Sequence, residues 1–293
     1  MDHLLNADLR VGARVVVDPL GLSRSSPACR AINPFLSSYA LFISYCRLTS
    51  AMLQGEALRP VPSELAEAAR SLVRGEPVLI FDAADREGET DMVVLSEKMT
   101  SELVRLLRVD AGGLICTALS DELRRRLDLP FYSELLALAA REFPVVAGLV
   151  ERPRYDARRA FGLSISHRET FTGIPDNDRA KTIRALGELA AEAPSLSDRA
   201  LDTRFQSSFV SPGHVPLLYS APRLVAERKG HTELAISLAR MAGLSESATV
   251  CEMLGDSGGA RDPEAAQRYA EAHGWPFLEG RAIVEAWRTW SSA

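Results

Sequence analysis

Two short apolar segments lie on either side of a strongly acidic loop. The segments run from Pro77 to Asp82 and from Met92 to Leu95, and the loop from Asp82 to Asp91 carries five carboxylates and one arginine. Continuous apolar runs of this length are typical of strands that are buried on both faces of a sheet. The sequence therefore predicts two core strands that hold a very polar loop between them.

Strand and helix patterns alternate along the rest of the chain. Apolar residues recur at helical spacing over residues 63–74, and this pattern stops at Gly75. Further strands are predicted at residues 114–119, 161–166, 215–219 and 249–253, and further helices at residues 101–109, 178–193, 232–241 and 263–273. Such alternation predicts a layered α/β domain in which helices cover a mainly buried sheet.

The first part of the chain differs from this pattern. We interpret residues 1–55 as a peripheral extension and residues 56–293 as the functional domain. The apolar stretch from Phe35 to Tyr45 is interrupted by serines, so it is too short and too polar to span a bilayer, and it begins too late for a secretory signal. A second methionine, Met52, raises the hypothesis that the extension is not part of the natural protein.

Charge and cysteine content narrow the class of protein. The formal net charge of -5 and the lack of aromatic and basic surface motifs argue against a nucleic-acid partner. The four cysteines, Cys29, Cys46, Cys116 and Cys251, are too far apart for paired metal spacing or a dense disulfide framework. We therefore expect a cytoplasmic protein with reduced thiols and no membrane partner.

The acidic loop is the first candidate for chemistry. Carboxylate oxygens are the ligands that hard cations such as Mg²⁺ prefer, and a solvated turn does not need this density of acids. A charged surface turn remains the alternative.

A second candidate is the segment Arg228-Lys229-Gly230-His231-Thr232-Glu233, which lies directly before a predicted helix. Thr232 can act as the N-cap, and free backbone N–H groups beside two cations favour a bound phosphate. His231 would then lie beside the anion. The alternative is a capped helix with a histidine of no special role.

Three further positions carry weaker signals. Ser211-Pro-Gly-His214 predicts a Pro-Gly turn that presents His214 at a strand edge. Thr172 and Gly173 lie in a turn before a predicted helix, where ordinary capping is an alternative. Glu252 lies in an apolar run, where an acid is costly unless it is paired or functional; the alternative is a strand-end residue that reaches water.

Taken together, these segments resemble the 3,4-dihydroxy-2-butanone-4-phosphate synthase family from about residue 63 to the end of the chain. Six motifs appear in the family's order: Arg86-Glu87-Gly88-Glu89-Thr90-Asp91, Asp110 to Cys116, Thr172-Gly173-Ile174 with Asp178-Arg179-Ala180, Ser211 to Val215, Arg228 to Glu233, and Cys251-Glu252-Met253.

The resemblance implies a single α/β domain with a mixed β-sheet between helical layers, and a homodimer with active sites near the subunit interface. It implies a lyase of riboflavin biosynthesis that converts D-ribulose 5-phosphate to 3,4-dihydroxy-2-butanone 4-phosphate and formate. The activity needs a divalent cation, Mg²⁺ or Mn²⁺. Metal-stabilised enediolate formation begins the reaction, and a skeletal rearrangement follows.

The resemblance also implies roles for individual residues. The metal ligands are Glu87 and His231, and the catalytic candidates are Asp91, Glu252 and His214. The residues expected to bind the substrate are Arg86, Glu87, Asp91, Cys116, Thr172, Arg228, Lys229, Gly230, His231, Thr232 and Glu252.

Two features refine the resemblance. Ser166-His167 and Thr172 to Pro175 resemble the archaeal branch, and the chain ends after the matching region, so we expect a monofunctional enzyme. A metal-dependent sugar-phosphate isomerase or aldolase shares enediolate formation and is the nearest rival. A nucleotide-binding or RNA-binding module is a rival of another class, which the acidic balance disfavours.

Overall fold

Within the residues that the structure describes (59–149, 156 and 158–292), seven strands form one sheet. They are β1 (Val78–Phe81), β2 (Thr90–Leu95), β3 (Cys116–Leu119), β4 (Phe161–His167), β5 (Phe209–Tyr219), β6 (Ser247–Glu252) and β7 (Phe277–Glu279). Their order across the sheet is β4-β5-β3-β6-β2-β1-β7. The pairs β1/β7 and β3/β5 are parallel and the other neighbours are antiparallel, so the sheet is mixed.

The structure is a computed structural model that describes residues 59–149, 156 and 158–292. The interpretation of residues 1–55 as an extension and the hypothesis about Met52 concern residues outside these ranges.

Ten α-helices accompany the strands in the described residues. They are α1 (Ala66–Arg74), α2 (Ser101–Leu106), α3 (Asp121–Arg126), α4 (Tyr132–Ala139), α5 (Pro144–Ala147), α6 (Asp176–Glu192), α7 (Asp198–Ser208), α8 (His231–Met241), α9 (Pro263–His273) and α10 (Gly280–Ser292). Shorter turns include the 3₁₀ turn Ser96–Lys98 and a π turn at Leu107–Ala111.

The helices lie in two layers because the central strands are buried on both faces. Ile80 and Val93 belong to a core with α1, α8 and α10, whereas Leu79 and Met92 belong to a core with α2, α6 and α9. Successive residues of a strand point to opposite faces, so each face needs its own apolar cover. The prediction of a mixed sheet between helical layers is confirmed.

Most boundaries follow local signals. Helix α9 covers the predicted residues 263–273, and α1 ends at Gly75, whose φ of 77° is the left-handed conformation that glycine adopts at little cost. The predicted helix at residues 101–109 instead changes into the π turn after Leu106.

The predicted Pro-Gly turn before His214 is wrong. Strand β5 begins at Phe209 and runs through this segment, and its pairing with β4 shifts register between Ile165 and Ser166. A Cβ atom on Gly213 would overlap the backbone of Ile165. The glycine therefore allows a close approach of two strands instead of a turn.

Strand β7 and helices α3, α4, α5, α7 and α10 were not predicted from the sequence. Among the helices of the described ranges, none combines the length and apolar character that crossing a bilayer requires.

Candidate functional site

Asp82 organises the acidic loop between β1 and β2. Its side chain is fully buried, and its carboxylate accepts hydrogen bonds from the backbone N–H of Glu87 (3.1 Å) and of Glu89 (3.1 Å). It also accepts one from Arg86 Nη1 (3.0 Å). Gly88 has φ of 69°, which lets the chain turn back towards β2. The loop is therefore held by its own hydrogen bonds in a conformation that supports Glu87, although Asp85 at its tip is exposed.

The start of α8 brings His231 to this loop. The helix begins at His231 with Gly230 as the N-cap, and glycine has no side chain that could cap it. The prediction that Thr232 is the N-cap is wrong, because Thr232 is the second helical residue and is buried. The first N–H groups of the helix thus lack the partner that a capping side chain supplies.

His231 lies among carboxylates from the loop and from β2. Its Nδ1 atom is 3.4 Å from a Glu87 oxygen and 3.5 Å from Asp91 Oδ1, and its Nε2 atom is 3.2 Å from the backbone oxygen of Glu89. Single ligand atoms of Asp82, Glu87 and His231 lie within 4.8 Å of one another. Imidazole nitrogen and carboxylate oxygens at this spacing suit a divalent cation.

The carboxylates of this cluster differ in how many hydrogen bonds their oxygens already accept. Both oxygens of Asp82 accept hydrogen bonds within the loop. Asp91 Oδ1 is buried and has no hydrogen-bond partner among the described residues. A buried carboxylate oxygen without a partner is costly, so Asp91 is better placed than Asp82 to face a cation or a substrate hydroxyl.

Burial and charge shift the pKa values in opposite directions. Burial alone would lower the pKa of His231, but the charges of Asp91, Glu87 and Asp82 outweigh it and raise the pKa to about 9. Burial raises the pKa of Asp91 to about 7 although His231 opposes the shift. Burial opposes ionisation of Glu87 as well, yet His231 and Arg86 lower its pKa to about 2. Asp91 and His231 therefore titrate as a coupled pair.

Glu252 faces the same cluster from β6. Strands β2 and β6 are antiparallel neighbours, and their register places Asp91 opposite Glu252. Glu252 Oε2 accepts a hydrogen bond of 2.7 Å from the backbone N–H of Leu114. It is the last residue of β6 and is partly exposed, so it is a strand-end residue as well as a member of the cluster.

Arg86 and Arg228 meet on one carboxylate. Asp156 Oδ2 accepts from Arg86 Nη2 (2.8 Å) and from Arg228 Nε (2.8 Å), and Arg228 Nη2 lies 2.7 Å from it. A Cβ atom on Gly230 would overlap Arg228 and lie 2.7 Å from Arg86 Nη2, so both guanidinium groups pack closely against this glycine. Arg228 Nη1 also donates to Glu233 (2.6 Å), whose side chain is fully buried.

A cavity of about 90 Å³ joins these groups. Of the predicted residues it is lined by Glu87, Asp91, Cys116, Arg228, His231, Thr232 and Glu252. Three other lining residues, Asp156, Arg159 and Phe161, were not predicted. An isolated acid or arginine in a charged segment carries no periodic or motif signal, so only the fold reveals Asp156 and Arg159; Phe161 lies in a predicted strand whose place at the cavity the sequence does not show.

The remaining predicted residues lie outside this cavity. Arg86 and Lys229 line an outer cavity of about 510 Å³, together with Asp85, Asp156 and Arg228. Since Arg228 and Asp156 line both cavities, the pair forms part of the boundary between them.

Thr172 and His214 form part of a separate cluster at the edge strands. The backbone N–H of His214 donates to Ser166 Oγ (3.0 Å), and a Cβ atom on Gly173 would lie 2.7 Å from His214 Nδ1. The backbone N–H groups of Thr172 and Gly173 donate to Asp178. The structure does not bring this cluster to the cavity of the same chain.

Both cysteines of the described residues are free and buried. Burial raises the pKa of Cys116, and it raises the pKa of Cys251 to about 12. Because the thiolate is the reactive form, neither side chain is suited to act as a nucleophile at neutral pH.

Comparison with known proteins shows which family this chain is similar to. The family model of 3,4-dihydroxy-2-butanone 4-phosphate synthase matches residues 66–286. A synthase of that description from Archaeoglobus fulgidus is 43% identical over 225 residues, which is 76% of this chain and 93% of that protein. One from Methanosarcina mazei is 43% identical over 240 residues, 80% of this chain and 96% of that protein. Both organisms are archaea, the branch that the motifs resemble.

A solved structure of the Candida albicans synthase has the same fold. Its sequence identity is 27% and its TM-score is 0.56, and the match covers 78% of this chain and 97% of that one.

Proposed function

Because the chain belongs to the 3,4-dihydroxy-2-butanone 4-phosphate synthase family of riboflavin biosynthesis, we propose that it converts D-ribulose 5-phosphate to 3,4-dihydroxy-2-butanone 4-phosphate and formate. One observation carries the proposal beyond family membership. A cluster of Glu87, His231 and Asp91 lies in the same cavity as an arginine at the start of a helix. A phosphorylated sugar needs both kinds of group.

We propose that Glu87 and His231 hold a divalent cation, Mg²⁺ or Mn²⁺. The donor set fits such an ion, and the unpartnered oxygen of Asp91 lies next to it. With Nδ1 of His231 as a ligand, the Nε2–H group donates to the backbone oxygen of Glu89, which orients the ring. When bound, the cation stabilises negative charge that develops on the adjacent oxygens of the sugar.

The phosphate group is proposed to bind at Arg86, Arg228 and the start of α8. The guanidinium group of arginine can donate two parallel hydrogen bonds to phosphate oxygens, and a helix start without a capping side chain supplies backbone N–H donors. Thr232 lines the cavity at this point, and both guanidinium groups lie close to the backbone of Gly230. Lys229 faces the outer cavity and adds positive charge there.

The proton transfers are proposed for Asp91 and Glu252, which stand opposite each other on neighbouring strands. The first step removes a proton from the carbon next to the ketone, and a base works best when its pKa lies near the ambient pH. In the cation-free protein, burial moves the pKa of Asp91 towards that range. Loss of water, migration of the phosphate-bearing carbon and release of C4 as formate then follow the family's chemistry.

We further propose a homodimer in which the edge cluster of Thr172 and His214 contributes to a site. Phe171 is 99% exposed and Ile174 is half exposed beside this cluster. Large apolar side chains at such exposure favour a protein contact. A contact with a second copy would also explain why two predicted site residues miss the cavity of their own chain.

Incubation with ribulose 5-phosphate and Mg²⁺ tests the proposal, with formate measured by a coupled dehydrogenase. We expect formate in proportion to enzyme, loss of formate with a chelator, and recovery when Mg²⁺ is added. Interconversion of pentose phosphates without formate would assign the chain to the isomerase class instead.

A further inference from the structure

The two proposed phosphate-binding arginines already hold a negatively charged group of the protein. One oxygen of Asp156 lies 2.7–2.8 Å from three nitrogens of Arg86 and Arg228. The Asp156 side chain is only 10% exposed. Charge-assisted contacts from two guanidinium groups to one oxygen are the arrangement that a phosphate oxygen receives.

Each arginine also has a buried carboxylate partner of its own. Arg86 donates to Asp82, which is fully buried in the acidic loop. Arg228 donates to Glu233, which is fully buried in α8 and also accepts from the backbone N–H of Ala221 (2.8 Å). These two carboxylates hold the guanidinium groups in place, so orientation of the arginines does not depend on Asp156 alone.

Asp156 differs from these two partners because it is shared and because it borders two cavities. It lines the inner cavity with Glu87 and His231, and it also lines the outer cavity. Its carboxylate therefore lies at the boundary where a ligand in either cavity meets the arginines. A dianionic phosphate carries more charge and more acceptor oxygens than this carboxylate does.

We propose that Asp156 is an internal anion that occupies the phosphate position, and that the phosphate of the substrate displaces it from Arg86 and Arg228. This inference rests on the proposed function for the identity of the ligand. It makes Asp156 a specificity-determining residue. A phosphorylated sugar competes for the arginines, whereas a neutral sugar offers nothing to replace the carboxylate.

The size of the effect follows from the population of the displaced state. The apparent Kd equals the intrinsic Kd divided by the fraction of molecules that can bind. If Asp156 occupies the arginines for about nine-tenths of the time, it raises the apparent Kd about tenfold. Asp156→Asn keeps the shape of the side chain but removes the competing charge. Inorganic phosphate should then bind about tenfold more tightly.

The test is isothermal titration of the full chain with inorganic phosphate in the presence of Mg²⁺. Asp156→Asn should lower the Kd about tenfold, and Asp156→Glu, which keeps the charge, should stay close to the wild type. Asp85→Asn is the matched control, because Asp85 is an exposed acid in the outer cavity. Its removal should change the Kd less than about twofold, since exposed charges are screened.

Glu233→Gln should have the opposite effect on the affinity for phosphate. It removes a partner that holds Arg228, so phosphate should bind more weakly. The inference would be overturned if Asp156→Asn left the Kd for phosphate unchanged or raised it. It would also be overturned if Asp85→Asn, or a folded Glu233→Gln, lowered this Kd as much as Asp156→Asn does. If Glu233→Gln fails to fold, the comparison of Asp156→Asn with Asp85→Asn decides alone.

The titration needs no turnover, so the two proposals fail separately. Tighter phosphate binding by Asp156→Asn without formate release by the wild type would refute the reaction but keep the displacement. Formate release without tighter binding would refute the displacement alone. In the active enzyme, Asp156→Asn should lower the KM for ribulose 5-phosphate more than it changes kcat.

Discussion

Replacing Glu87 by glutamine should remove cation binding while leaving the domain folded. The change keeps the size of the side chain and removes its charge. Glu87 lies 3.4 Å from His231 Nδ1 and 3.0 Å from Arg86 Nη1, so the substitution affects two partners directly. Residues that only support a metal ligand typically contribute 10- to 100-fold to metal affinity. Loss of a ligand itself should therefore weaken Mg²⁺ binding at least about 100-fold, or about 2.8 kcal/mol.

The same substitution should have a smaller effect on the fold. A pKa of Glu87 lowered to about 2 corresponds to roughly 3 kcal/mol of favourable interaction at neutral pH. Arg86 retains Asp82 and His231 retains Asp91, so only part of this is lost. We expect about 1–2 kcal/mol and a fall in Tm of roughly 2–8 °C without metal.

The pH dependence of this difference has a defined sign. The pKa of Glu87 is lower in the folded state than its ordinary value of 4.5. The stabilisation is therefore complete above about pH 4.5 and is lost as the pH falls further towards the folded value. The Tm difference between the wild type and Glu87→Gln in metal-free buffer should shrink in that direction.

Calorimetric titration with Mg²⁺, formate release and thermal unfolding in a chelator measure these effects. His231→Gln should behave like Glu87→Gln, and the double variant should be scarcely worse than either, because both residues serve one ion. Asp85→Asn, an exposed acid of the same loop, is the control and should bind Mg²⁺ normally. Folded Glu87→Gln protein with near-normal Mg²⁺ affinity and chelator-sensitive turnover would refute the assignment.

Three further predictions concern other parts of the chain. Arg228→Ala should raise the KM for ribulose 5-phosphate roughly ten- to a hundredfold, because a charge-assisted contact contributes about 1.5–3 kcal/mol; Arg281→Ala in the outer cavity should not, and equal effects would place the phosphate elsewhere. Gly187→Ala in α6 should lower the free energy of unfolding, measured with denaturant, by about 1–3 kcal/mol. Alanine favours helices, but a Cβ atom at this position overlaps the backbone of the turn Ser96–Lys98. Gly259→Ala, with open space around it, should change stability by less than about 0.5 kcal/mol, and similar losses in both variants would contradict the packing argument. Cys251→Ser should keep measurable turnover, and Cys116 and Cys251 should resist alkylation at pH 8 in the folded protein, since burial raises the pKa of Cys251 to about 12. Rapid alkylation of these two thiols before unfolding, located by peptide mass mapping, would refute this.

The sequence predicted those helices and strands whose apolar pattern is complete within a few neighbouring residues. The apolar runs of β1 and β2 predict buried strands because each side chain faces one of two cores. Helix α9 is predicted from its periodicity between Asp262, which caps it, and Gly274, where it ends. The order of the motifs along the chain is itself enough to indicate the family.

Weakly patterned elements could not be predicted in this way. Helix α4 is apolar at most positions yet has no buried residue, so its sequence does not mark one face as the core. Strand β7 has three residues and exists because it pairs in parallel with β1, almost 200 positions earlier in the chain. Long-range pairing of this kind leaves almost no trace in the local sequence.

The sequence by itself determined which residue types are available for chemistry: an acidic loop between two buried strands, and a histidine with two cations before a helix. Only the tertiary structure decided how they combine. The antiparallel register of β2 and β6 sets Asp91 opposite Glu252, the start of α8 brings His231 to both Glu87 and Asp91, and Asp156 joins two arginines that lie 142 positions apart in the chain. The physical reason is that composition and periodicity act over a few residues, whereas distances between side chains are set by strand pairing and helix packing across the whole domain.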